Sequence, residues 1–184
     1  MYHQFNIQFP QLDCNRLQGQ QLQTYGNLAT KTTNYLIRDW SYFLGLHEGR
    51  LHFHILPDYA YFITVQGTDM LWPHIDPDTT CALNFYIDPA GATTSFYREL
   101  PGLTYHTQQD LAVPDHEHLV VKGSNDLSHF ELLGSFTAEP YSAYLMRVDM
   151  WHSVSRPQGV RSMLSWRWNH ADYDSVLNSI QVID

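Results

Sequence analysis

The stretch PHIDPDTTCALNFYIDPAGATTSFYREL, Pro73 to Leu100, carries most of the fold signal. Cys81 to Ile87 is an apolar run rich in aromatic and β-branched residues. Asp88-Pro89-Ala90-Gly91 closes it as a turn, and Ser95 to Tyr97 resumes the strand-like pattern. On its N-terminal side Met70 to Ile75 ends at Asp76-Pro77-Asp78, where proline stops the pairing. The rhythm continues outward through Leu51 to Leu56, Tyr59 to Val65, His118 to Lys122, Phe130 to Phe136, Ser142 to Val148, Ser153 to Ser155 and Val160 to Trp168. About ten short strands at roughly 8–12-residue spacing, with no helix between most of them, predict a mainly β sandwich or barrel of the jelly-roll type. The first 50 residues are Gln- and Asn-rich; within them Asn34 to Leu46 has an apolar spacing that a short helix accepts.

A chain of 184 residues fits one domain, residues 1–184, with roughly the first 50 as a flanking support. No repeat or low-complexity tract divides it. Lys and Arg number 10 against 19 Asp and Glu, a net charge of −9, so no basic footprint offsets phosphate repulsion and nucleic acid is disfavoured as a partner. The composition is 43% hydrophobic and 14% aromatic, enough for a packed core and against disorder. Cys14 and Cys81 form neither a disulfide framework nor a zinc knuckle. The N-terminus has no secretory signal and no stretch is long enough to span a bilayer, so a cytoplasmic protein with no membrane partner is expected.

Eleven histidines exceed Lys and Arg combined, which prompts a search for metal-ligand spacing. Chance alone supplies about one H-x-D in such a composition, so the pattern decides nothing without context. His74 and Asp76 lie at i and i+2 at the end of a strand-like run and point to one face. His152 follows 76 positions after Asp76, beside Ala143 to Val148, where a later strand can return next to the first. Two histidines and a carboxylate hold one face of an octahedral metal and leave three positions open, the ligand set of non-haem Fe(II) oxygenases. Arg161 comes nine positions later and opens the alternating segment RSMLSWRW. A guanidinium directed into a barrel needs an anion, and a dicarboxylate supplies one through bidentate pairing. Ser165 shares the strand face of Arg161, so its hydroxyl is placed to donate to the same carboxylate.

These segments, Pro73 to Leu100 together with FELLGSFTAEPYSAYLMRVDMWHSVSRPQGVRSMLSWRW, Phe130 to Trp168, resemble the Fe(II)/2-oxoglutarate-dependent oxygenases, in particular the prolyl-hydroxylase-like and small bacterial or phage members. The resemblance covers about a third of the chain. It implies a double-stranded β-helix with a few flanking helices, Fe(II) on His74, Asp76 and His152, and the far carboxylate of 2-oxoglutarate on Arg161. It further implies Tyr86 and Ser165 as hydroxyl donors to that carboxylate, although Met163 stands where several subfamilies carry the serine of an R-x-S pattern. O2 would be the oxidant and succinate a product. Iron halogenases of this superfamily replace the carboxylate ligand, so Asp76 favours hydroxylation. The substrate class it implies is a peptide, protein or amino-acid side chain, with a small metabolite next; oligomeric state is not written in these motifs.

Two other readings compete. One is a non-catalytic jelly-roll binding or structural module. The other is a cupin-type metalloenzyme built on the H-x-H pair His52 and His54, although the glutamate such a site needs is missing from Ile55-Leu56-Pro57-Asp58. His116 with His118, His129 with Glu131, and His170 with Asp172 read as structural or surface pairs. Pro101 to Ser128 reads as a substrate-covering loop or an insertion.

Overall fold

The computed structural model describes residues 1–7, 20–25, 30–37, 51–77, 79–109 and 120–183. Its strands are β1 (Tyr2–Phe5), β2 (Gln20–Tyr25), β3 (Thr30–Leu36), β4 (Leu51–Phe53), β5 (Tyr59–Gly67), β6 (Leu71–Ile75), β7 (Cys81–Asp88) and β8 (Thr93–Glu99). They continue with β9 (His106–Gln109), β10 (Val120–Gly123), β11 (Phe130–Thr137), β12 (Ala143–Arg147), β13 (His152–Val154), β14 (Arg161–Trp168) and β15 (Ile180–Val182). Among the described residues there is one short α-helix, α1 (Tyr173–Ser179).

A seven-stranded sheet runs β1-β12-β7-β14-β5-β3-β2, and a six-stranded sheet runs β11-β8-β13-β6-β10-β9. From β5 to β8 the chain alternates between them, and from β11 to β14 it does so again. This is a double-stranded β-helix, or jelly roll. The β7–β8 connection is a tight turn. Ala90 and Gly91 both have positive φ, 49° and 65°, and the Ala92 N–H donates to Pro89 O, as the twist of the flanking strands favours.

The period-two alternation of the seven-stranded sheet divides the apolar residues into two cores. Cys81, Leu83, Phe85, Leu145, Leu164, Trp166 and Trp168 form the outer one, packed against Phe53 of β4, Val176 of α1 and Ile180 of β15. Ala82, Tyr86, Tyr144, Met146 and Met163 face the other way and pack with Phe96 and Phe136 between the sheets. Asp172 caps α1 by accepting from the Ser175 N–H and hydroxyl, so the second H-x-D serves a helix terminus.

Several sequence expectations change. Asn34 to Leu36 end strand β3 rather than open a helix; residues 38–46 of that expected helix lie outside the described residues. β2 and β3 widen the seven-stranded sheet at one edge and β1 at the other, so part of the first 50 residues adds strands to the jelly roll. Within Pro101 to Ser128, β9 and β10 extend the six-stranded sheet past β6. The expected strand over His118 to Lys122 is found from Val120 onward, with His116 and His118 outside the described residues.

Trp168 is fully buried in the outer core and its indole N–H donates to Ile55 O at 3.1 Å. Trp168→Ala should lower the unfolding free energy by about 3–5 kcal/mol, read from the urea midpoint. Trp168→Phe should cost less, because it keeps most of the packing.

Candidate metal centre

His152, the first residue of β13, pairs directly with His74 near the end of β6, so two residues distant in sequence are cross-strand neighbours. Paired residues point to the same face, here the space between the sheets. Asp76 follows β6 by one residue and its N–H donates to Val148 O at 3.0 Å, which fixes the backbone where the strand ends. One ligand atom from each of His74, Asp76 and His152 can be chosen so that all lie within 4.8 Å of one another. His74 Nε2 is 3.6 Å and His152 Nε2 4.0 Å from Asp76 Oδ1.

The hydrogen bonds behind these side chains decide which nitrogens are available. His74 Nδ1 lies 2.8 Å from Trp72 O and His152 Nδ1 lies 3.0 Å from Met150 O. A carbonyl only accepts, so each Nδ1 carries the proton and each Nε2 presents its lone pair toward Asp76. Backbone bonds of this kind orient metal-binding imidazoles. The donor set therefore fits a divalent metal, and these residues can hold one.

Electrostatics support the same protonation states. Burial pushes the His152 imidazole down to about 4, His74 adds to the effect, and the Asp76 carboxylate opposes it. Burial alone would raise Asp76, but the Arg167 guanidinium, His152 and His74 together hold its carboxyl below the ordinary range. Arg167 Nη1 is 2.9 Å from Asp76 Oδ2. The anionic carboxylate and neutral His152 are the forms a metal requires.

Beside these three side chains a partly open pocket, with a cavity volume of about 50 Å3, is lined by Asn84, Met163, Arg161 and Arg167 among others. Arg161 is 2% exposed. Its Nη2 donates to Tyr86 Oη at 3.0 Å and Thr94 Oγ1 at 3.2 Å, and its guanidinium lies over the Tyr86 ring. Its Nε has no hydrogen-bond partner, and among the described residues it makes no ion pair. Ser165 lies on the same inward face, but its hydroxyl accepts from Arg167 Nε at 3.4 Å. The structure thus brings together His74, Asp76, His152, Arg161 and Tyr86 and leaves Ser165 nearer the other arginine. Thr94, Asn84 and Arg167 were not singled out from sequence. Strand parity was the available signal for Arg167, six positions from Arg161, and for Asn84, two from Tyr86. His52 on β4 and His54 just after it are exposed, and neither lines this pocket.

No family model matches the chain, and no curated protein matches it. Among solved structures it is similar to an arginine-to-alanine mutant of oxalate decarboxylase from Bacillus subtilis, at 12% identity over 81% of this chain and 28% of that one, with a TM-score of 0.38. It is also similar to hazelnut (Corylus avellana) vicilin, at 9% identity over 89% of this chain and 32% of that one, with a TM-score of 0.40. The chain thus spans about a third or less of the length of these proteins.

The buried ligands set an acid limit on the metal-free protein. His152 is held below its unfolded value of 6.5, so its contribution to stability is complete above that value and is lost as pH falls toward 4. The depressed Asp76 contributes above its unfolded value of 3.8 and loses that contribution below it. The urea midpoint should therefore fall between pH 6.5 and 4, and His152→Gln should flatten that slope.

Proposed function

We propose that this chain is an Fe(II)- and 2-oxoglutarate-dependent oxygenase. The observation that supports it best is the buried Arg161, with one nitrogen unsatisfied, in the same pocket as His74, Asp76 and His152. Burying a guanidinium without an anion is costly, and a small dicarboxylate whose other end reaches the metal offsets that cost. Fe(II), when bound, supplies the oxygen chemistry, with 2-oxoglutarate decarboxylated to succinate.

The chain's own residues do the positioning. Arg161 holds the far carboxylate through charge-assisted bonds, while Tyr86 and Thr94 steer the guanidinium through their oxygens. Trp72 O and Met150 O keep the two imidazoles in the tautomer that binds metal. The apolar side chains of Val148, Val154 and Met163 limit water around the reacting groups. The substrate we propose is a peptide, protein or amino-acid side chain.

A second reading is a cupin-type metal protein that takes a different small acid, or none. The neutral partners already on Arg161 favour it, since Tyr86 and Thr94 satisfy part of the guanidinium without a ligand.

Anaerobic titration with Fe(II) and 2-oxoglutarate separates the two. The oxygenase should develop a visible charge-transfer band and, in air, form succinate. His152→Ala should abolish the band. Arg161→Gln should raise the 2-oxoglutarate Kd at least tenfold, about 1.4 kcal/mol or more, while metal binding persists. Metal binding with neither band nor succinate would favour the second reading.

A further inference from the structure

Arg167 reaches the metal ligands from the opposite sheet. It lies on β14 in the seven-stranded sheet, whereas Asp76 follows β6 in the six-stranded one. Its β7 partner in register is Ala82, whose small side chain leaves room for the guanidinium to cross. The guanidinium lies over the Tyr61 ring at 5.5 Å, and its Nε donates to Ser165 Oγ. These contacts aim Nη1 at Asp76 Oδ2, 2.9 Å away.

The two oxygens of Asp76 therefore have different surroundings. Oδ1 faces both histidine Nε2 atoms, at 3.6 and 4.0 Å, and Oδ2 is engaged by Arg167. A carboxylate can bind a metal through one oxygen or through both. We propose that Arg167 is a positioning residue that confines Asp76 to single-oxygen coordination and so keeps one further metal position open for exchangeable ligands. This rests on the metal-holding part of the function proposed above and is independent of the 2-oxo acid.

Electrostatics set the direction of the effect. A cation beside the carboxylate reduces the negative charge that attracts a metal, so Arg167 gives up some affinity in return for an open position. Removing it releases Oδ2, and the freed oxygen takes the place of one metal-bound water. The metal remains bound at least as tightly, with fewer exchangeable waters. A purely structural ion pair would instead predict weaker or unchanged binding with the same number of waters.

Mn(II) alone is a sufficient probe, because the longitudinal relaxivity of bulk water counts the waters exchanging at the ion. With three protein ligands on an octahedral ion, wild type should show about three such waters. Arg167→Met should lose about a third of the inner-sphere relaxivity, with a Kd equal to wild type or lower. Arg167→Lys, which keeps a cationic donor, should recover most of it, and Arg167→Gln should fall between. Full relaxivity in Met and Gln variants with Mn(II) bound would overturn the inference, as would a Met variant that binds Mn(II) more than tenfold more weakly. If Met proves unfolded by circular dichroism, the Gln and Lys pair carries the same comparison. Wild type that binds no Mn(II) at all would remove the metal-centre reading, and this inference with it, an outcome distinct from metal binding with unchanged relaxivity.

Discussion

The antiparallel pairing of β13 with β6 is the constraint on which the site depends. It sets His152 directly opposite His74 and turns both imidazoles into the space between the sheets. The pairing is a consequence of topology. The chain crosses between the sheets at each step from β5 to β8 and again from β11 to β14, which returns β13 to the six-stranded sheet, where it lies between β6 and β8. Neighbouring backbone carbonyls then complete what pairing begins, since Trp72 O and Met150 O each take an Nδ1 proton and leave both Nε2 atoms facing Asp76. A slip of one residue in that register would send one histidine to the opposite face and dismantle the group.

A second constraint is the two-sided burial of the seven-stranded sheet. The outer face is dominated by large apolar groups, Phe85, Trp166 and Trp168, covered by β4, α1 and β15. That cover lets the inner face carry polar groups without losing the core. On β14 the alternation is strict, with Leu164, Trp166 and Trp168 outward and Arg161, Met163, Ser165 and Arg167 inward. The same strand anchors the fold on one side and supplies both pocket cations on the other.

Much of this was legible in the sequence, and the limits have physical causes. Short aromatic and β-branched runs between turn residues located the central strands, and His74 with Asp76 at a strand end located two of the three side chains that cluster with His152. Strands β2 and β3, QQLQTY and TKTTNYL, carry too few apolar residues to show a period, and the apolar spacing from Asn34 onward suggested a helix where β3 ends. Ser165 illustrates a different limit. Parity placed it correctly on the face of Arg161, but four residues of strand span roughly 13 Å, so its nearer cation is Arg167, two residues away. Face is readable from alternation; position along the face needs the neighbouring strand and the opposite sheet, where β7 supplies Tyr86 and β8 supplies Thr94 to Arg161 instead.

The charge distribution connects the fold to its chemistry. Over the whole chain acidic residues outnumber basic ones and the net charge is −9, yet in the pocket two guanidiniums face a single carboxylate. Asp76 is committed to Arg167, so Arg161 is the cation left without a charged partner among the described residues. A divalent metal held by the histidines would add positive charge to the same space, so the sign of the pocket favours an anionic occupant over a cationic one. An acidic exterior around such a pocket does not prevent this, because exposed charges are screened within about 10 Å in ordinary salt, whereas buried ones are screened far less. The sign of the pocket is therefore set by strand parity and burial rather than by the net charge of the chain.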